Sequence, residues 1–172
     1  MEPFWTKTEG NILAQGDLLS GCHVPAFGEN FGIEGDETEI AVREADLIVV
    51  TQSCDLHNDK VALVALCPIH TLDTFEQSNP TFKTRNRWEA VRKGQQPGLH
   101  LLASPETPEN NRAALVVDFG EIHSLPPSYV KKHAVQLGPR WRLESPFLEH
   151  FSQALARYFM RVGLPSSIPP FK

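Results

Sequence analysis

The chain has 172 residues, the length of one domain, and 41% of them are hydrophobic, which argues against a disordered protein. Its net charge of −5 argues against the uniformly basic surface of a protein that coats nucleic acid. Fourteen prolines, about 8% of the chain where about 5% is usual, disfavour a helical bundle.

The sequence holds no apolar run of leader or membrane length, so we expect a cytoplasmic protein that makes no membrane contact. The three cysteines, Cys22, Cys54 and Cys67, are an odd number in a chain without a secretion signal. We therefore expect them to be reduced thiols.

Two nearly continuous apolar runs, residues 46–52 and 61–67, predict a hairpin of buried strands. A short strand at residues 18–19 is expected before them, followed by an irregular, glycine-rich stretch. The residues between the two runs, 57–60, have the composition of a turn. Pro68 is expected to end the second strand, because proline cannot donate a hydrogen bond to the ladder.

The second half of the chain predicts an insertion at residues 72–111, further strands and a closing helix. Within the insertion, a helix over 82–93 is expected to start near Pro80 and to end at Gly94. Strands are expected at residues 98–103, at 113–125 with a bulge at Gly120, and near 141–143.

An apolar stripe with helical spacing predicts a C-terminal helix over residues 145–163. Ser145 is expected to cap it, with Pro146 at its first position and Gly163 and Pro165 at its end. Together these elements predict a single α+β domain over residues 1–172. Its expected architecture is a small, strongly bent antiparallel β-barrel of SH3-like type, with one inserted helix and the C-terminal helix packed across it.

This order of elements resembles the MazF/PemK toxin family. The resemblance rests on an opening strand, a long loop, two buried strands and a later strand that leads to the final helix. The corresponding segments are Gly16-Asp17-Leu18-Leu19, then residues 47–52, 61–66, Cys67-Pro68-Ile69-His70-Thr71 and 115–125. Residues 51–55 and 160–165 also resemble a bacterial family of similar fold whose activity has not been defined.

The resemblance implies a bacterial toxin–antitoxin or defence protein with metal-independent endoribonuclease activity, no cofactor, and RNA, an antitoxin and a second copy of itself as partners. The family's catalytic arginine and threonine correspond to Arg43 and Thr71, and His70 lies beside the latter. In this chemistry a base deprotonates the ribose 2′-OH, which attacks the adjacent phosphorus, and a cation stabilises the developing charge. His70 would act as acid or base.

A basic segment with interleaved aromatics is the best sequence candidate for nucleic-acid binding, because phosphate contact and base stacking need both residue types. Its candidate contacts are Lys83, Arg85, Arg87, Trp88, Arg92 and Lys93. The alternative is a solvated helical face with Trp88 packed inward.

Conversely, residues 29–46 hold seven of the 21 acidic residues and one base, Arg43. We expect this acidic loop to mimic RNA or to dock a partner.

A second function class is a non-catalytic module that binds a protein or a ligand. Its candidate site is the polar stretch of Gln52, Ser53, Cys54 and Asp55, which follows a buried strand. The alternative is that these side chains only satisfy backbone groups.

A further candidate acid/base cluster is formed by Asp118, Glu121 and His123, since strand alternation places the last two on one face.

A zinc site is a third alternative, because Cys54-x-x-His57 and Cys67-x-x-His70 have ligand-like spacing and Cys22-His23 adds two donors. In the predicted hairpin, Cys54 lies near the turn and Cys67 near the far end. Their separation of roughly 20 Å is too large for one ion, so we expect no metal unless the hairpin is wrong.

Overall fold

The computed structural model describes residues 3–29, 31–33 and 40–160. An antiparallel sheet in the order β2-β3-β4-β6-β5, with β7 also paired to β4, forms its centre, and β1 and β8 form a separate ribbon. The strands are β1 (Trp5–Thr8), β2 (Leu18–Ala26), β3 (Ala41–Val49), β4 (Val64–Thr71), β5 (Leu99–Leu102), β6 (Leu115–Asp118), β7 (His123–Leu125) and β8 (Arg140–Leu143). The helices are α1 (Ser53–His57), α2 (Leu72–Ser78), α3 (Arg85–Arg92), α4 (Pro127–Leu137) and α5 (Phe147–Phe159), with single 3₁₀ turns at Pro80–Phe82 and Asn111–Ala113.

The predicted pairing of the two apolar runs is confirmed, since β3 and β4 are antiparallel with Ile48 opposite Cys67. The predicted end of the second strand at Pro68 is wrong. Pro68 is the last β4 residue paired with β3, and the next three residues, through Thr71, pair with β6. Proline has no N–H to donate to a neighbouring strand. Pro68 lies where the pairing of β4 changes from β3 to β6, and a proline is tolerated at such a position.

Three helices and one strand, α1, α2, α4 and β1, were not anticipated from the sequence. The short helix α1 lies before the predicted turn at residues 57–60 and shares only His57 with it. The strand predicted over residues 113–125 is interrupted after Asp118 and resumes at His123, as expected from a bulge at Gly120.

Both faces of the sheet are covered, which explains why the strands of the predicted hairpin are apolar on both sides. On one face, Leu66 packs against α1 and α4, while α2 and α3 cover Val116 farther along the same sheet. On the other face, Cys67 and Ile69 pack against α5 and the β1–β8 ribbon. The fold is therefore α+β and antiparallel, but its described strands do not close into a barrel.

The C-terminal helix is confirmed from Phe147 to Phe159, but its predicted N-terminal details are wrong. Pro146 is the N-cap residue, and the Ser145 hydroxyl donates to Glu149 instead of capping a backbone N–H. The predicted end at Gly163 lies outside the described residues. Within the part of the chain that the structure describes, no helix has both the length and the apolar character needed to span a membrane.

One titratable group is built into the packing between sheet and α5. His100 of β5 lies 6.1 Å from Phe119 and 5.9 Å from Phe151, measured between ring centroids. Burial, with a smaller contribution from His150, lowers the pKa of His100 to about 4. A histidine in an unfolded chain has a pKa of about 6.5. As the pH falls, His100 is therefore protonated at a higher pH in the unfolded chain than in the folded protein.

We therefore expect stability to be lost as the pH falls from about 6.5 towards 4. Urea unfolding at neutral and at acidic pH should show a loss in the wild type about 1–2 kcal/mol larger than in His100→Gln. His23→Gln, which alters an exposed histidine, serves as the control and should follow the wild type. An identical pH dependence in all three proteins would contradict the expectation.

Candidate functional site

Three charged or titratable side chains meet over β4, although they come from elements on its two opposite edges. Leu66 of β4 pairs with Val49 of β3 and also with His123 of β7, so β3 and β7 flank β4. Arg43 of β3 forms an ion pair with Glu121, two residues before β7 begins. The pair therefore joins groups from the strands on the two sides of β4.

His123 extends this ion pair into a three-residue cluster. Its Nε2 atom lies 3.0 Å from Glu121 Oε1, and its side chain is only 11% exposed. Although the distance allows an ion pair, the alignment is not that of a hydrogen bond, and this buried nitrogen has no hydrogen-bond partner among the described residues. A buried polar atom left in this way calls for a partner, such as a water, an ion or a ligand.

His70 lies within electrostatic range of the same cluster. It is half-buried on β4, opposite Val116, with its ring 5.9 Å from that of Phe75. Burial is the largest influence and lowers its pKa, with nearby Asp118 and Glu121 opposing the shift. The lowered pKa favours the uncharged form of the His70 ring.

A surface cleft of about 400 Å³ opens at the Arg43–Glu121 pair. Besides the charged pair and His123, its lining includes Phe27, whose side chain is 58% exposed. The cleft thus combines a guanidinium, a carboxylate, an imidazole and an aromatic face. Such a set can bind a phosphate, move a proton and stack a base.

Thr71, the third residue predicted for catalysis, has a structural role. Its hydroxyl accepts a hydrogen bond from the Thr74 N–H at 3.2 Å and donates one to the Thr74 hydroxyl at 2.9 Å, capping α2. Strand alternation also directs it away from the face that carries His70. The structure thus brings Arg43 near His70 but joins it to Glu121 and His123, not to Thr71.

The polar stretch at residues 52–55 forms the first turn of α1. Gln52 is the N-cap residue but makes no side-chain cap, and the Ser53 hydroxyl accepts from the Gln15 N–H at 3.0 Å. The exposed Cys54 thiol lies 3.7 Å from Gln52 Oε1 and 3.8 Å from Asp55 Oδ1. These contacts tie α1 to the segment before β2.

The basic segment presents charges to solvent but hides its aromatic. Trp88 is 8% exposed, and its indole N–H donates to Glu76 Oε1 at 2.8 Å. Hydrogen bonds from Arg112 and Trp88 hold the pKa of Glu76 below its usual value. Trp88 is therefore a core residue and is not available to stack on a base. Exposed basic side chains on this segment are Lys83, Arg85, Arg87, Arg92 and Lys93.

The cysteines do not assemble a metal site in the described part of the chain. Cys22 and Cys67 are buried, and burial raises the pKa of each thiol to about 12, whereas Cys54 is exposed. Among residues 3–29, 31–33 and 40–160, no three metal-binding side chains are grouped to hold an ion.

Sequence reasoning identified the members of the cleft separately but missed that they meet. Arg43 was a catalytic candidate, and Glu121 and His123 belonged to a candidate acid/base cluster. Their sequence separation, 78 residues between Arg43 and Glu121, left no local pattern that could join them. The exposed Phe27 beside them carried no sequence signal. The sequence matches no protein-family model, and a search of curated proteins gave no significant match.

Proposed function

We propose that this protein is a metal-independent endoribonuclease, of the type that the MazF/PemK resemblance implies, with its active site at Arg43, Glu121 and His123. The observation that carries the proposal is the unsatisfied Nε2 of the nearly buried His123 beside a carboxylate and a guanidinium. This grouping supplies a base, a group to stabilise its protonated form and a cation for phosphate.

In the proposed reaction His123 accepts the proton of a ribose 2′-OH. The resulting oxygen attacks the adjacent phosphorus, and the bond from phosphorus to the 5′-oxygen breaks. That oxygen takes a proton from water, and the hydroxide left behind accepts the proton that His123 gained, which restores the neutral imidazole. Glu121, whose side chain is 45% exposed, stabilises the imidazolium that forms on His123 through their 3.0 Å contact. Arg43 stabilises the negative charge on the phosphorus oxygens.

Acidic residues near the cleft affect which form of RNA could bind there. Glu44 and Asp46 lie on the same ribbon as Arg43 and repel a phosphate backbone, while four of the seven acidic residues of the predicted acidic loop lie outside the described residues. Phe27 offers a stacking surface at the cleft, and stacking on an aromatic is worth about 1–3 kcal/mol per base. A flipped or single-stranded base therefore fits this site better than a duplex.

The test is incubation of the purified protein with single-stranded RNA in EDTA, followed by analysis of the product ends. We expect fragments with 2′,3′-cyclic phosphate and 5′-hydroxyl ends, because the 2′-oxygen is the nucleophile. The same RNA with 2′-O-methyl groups should remain whole. Intact unmodified RNA after prolonged incubation would refute the proposal.

A protein-binding module is the second candidate, favoured by exposed apolar side chains around the β2–β3 ribbon. These are Phe27, Phe31, Ile33, Ile40, Val42 and Ile122, each at least 41% exposed, and the ring centroids of Phe27 and Phe31 are 4.6 Å apart. Acidic residues, Glu29 and Glu44, lie beside them in the chain, so this surface fits a partner with an apolar centre and a basic rim.

This candidate is tested by co-expression with the protein encoded by the neighbouring gene. Val42→Ser should weaken the complex, whereas Val135→Ser, which changes a similarly exposed valine on α4, should not. Absence of any complex would count against the module and leave the nuclease proposal untouched.

A further inference from the structure

A second cavity, distant in sequence from the Arg43 cluster, is lined by basic groups from three elements. It has a volume of about 320 Å³ and lies between the end of α3, the start of β5 and α5. Its basic and titratable side chains are Arg92, Lys93, His100, His150 and Arg157. No aspartate or glutamate belongs to its lining, as far as the described residues extend.

The positive charge of this cavity is only partly neutralised by the protein. Arg92 is paired with Glu89, at 2.8 Å between Nη2 and Oε2. Lys93 and Arg157 are exposed, and neither has a carboxylate within ion-pair distance in the described part of the chain. An excess of cations around a concave site attracts anions and favours their binding there.

The two histidines add oriented hydrogen-bond donors. The His100 ring is held against Phe119 and Phe151, so its direction is fixed by packing. His150 stands close enough to lower the pKa of His100 further, after the larger influence of burial. An anion between the two rings would relieve this repulsion and favour protonation of both.

We propose that this cavity binds a phosphoryl group, supplied either by a mononucleotide or by an RNA strand. Two cationic side chains and two imidazoles, arriving from three elements, match the several oxygens and the double charge of a phosphate. The volume lies at the small end of ligand sites, about 300–1,000 Å³, and suits a ligand of mononucleotide size. The site shares no residue with the Arg43 cleft and stands independently of RNA cleavage.

The experiment follows the histidine ring protons by NMR while the full-length protein is titrated with AMP, with inorganic phosphate and with a short single-stranded RNA. We expect saturable shifts of His100 and His150 and a rise in the pKa of both. The double variant Lys93→Gln/Arg157→Gln should bind at least about tenfold more weakly, since it loses two charge-assisted contacts. Both positions are exposed, so the variant should fold.

Lys132→Gln, on α4 and outside the cavity, is the matched control for loss of surface charge. Binding of AMP or phosphate identifies a small-molecule source, and binding of RNA alone identifies a strand; either supports the site. The proposal is overturned if no probe shifts the two histidines up to about 10 mM. It is also overturned if the double variant binds like the wild type, or if Lys132→Gln weakens binding equally.

Discussion

Replacing Arg43 with alanine is expected to slow RNA cleavage by about 10²- to 10³-fold while leaving the fold intact. This is the usual loss when one group that stabilises the developing charge of a transition state is removed. The arginine is 42% exposed and its pair with Glu121 lies at the surface, so the variant should lose no more than about 1 kcal/mol of stability. Cleavage rates at saturating protein, together with thermal unfolding, measure both quantities.

A companion variant, His123→Gln, should lose about 10²- to 10⁴-fold, because it removes the proposed base. Lys132→Ala is the matched control, since it removes an exposed positive charge on α4, outside the cleft. Full activity in Arg43→Ala, or an equal loss in Lys132→Ala, would show that cleavage does not occur at this cleft.

Asp17→Ala is expected to destabilise the protein by about 3–5 kcal/mol, the cost of breaking a buried charge pair. Asp17 is fully buried and accepts hydrogen bonds from Arg140 at 3.0 and 3.1 Å and from the Ala14 N–H at 3.2 Å. Arg142 also donates to it, at 2.9 Å from its Nη2. Without the carboxylate, the 3%-exposed Arg140 keeps its charge in the interior with two carbonyls as its remaining acceptors.

Urea unfolding provides the measurement, with Asp73→Ala as the control. Asp73 pairs with Arg112 at the surface, its side chain being 76% exposed, so its loss should cost about 1 kcal/mol or less. If Asp17→Ala does not fold, the loss of stability is at least as large as expected. An unfolding midpoint equal to that of the wild type would contradict it.

The Asp17 cluster also matters for the position of the cleft. The backbone of Asp17 accepts from the Val49 N–H at 2.9 Å, and its side chain joins β8 to this point. Through these contacts the end of β3 is attached to the β1–β8 ribbon. Because β3 carries Arg43 at its other end, destabilising this attachment should also reduce activity, but less than Arg43→Ala does.

Features that depend on neighbouring residues were predictable. The apolar runs around Ile48 and Cys67 predicted the central pair of strands, because a strand covered on both faces needs apolar side chains at every position. The helical stripe of Phe147 to Phe159 predicted α5 in the same way. In contrast, α4 was not predicted, although it begins at Pro127 and proline is favoured in a first helical turn.

The sequence by itself determined the class of the fold, the central strands, the helices α3 and α5 and the basic and acidic residues from which a site could be built. Only the tertiary structure decided which of these residues act together. Arg43 meets Glu121 across 78 residues of sequence and Asp17 meets Arg140 across 123, the latter because the final strand, β8, pairs with the first, β1. Hydrophobic periodicity predicts on which face of a helix or strand a side chain lies. Contacts between segments that are distant in sequence depend on how those faces pack in the tertiary structure.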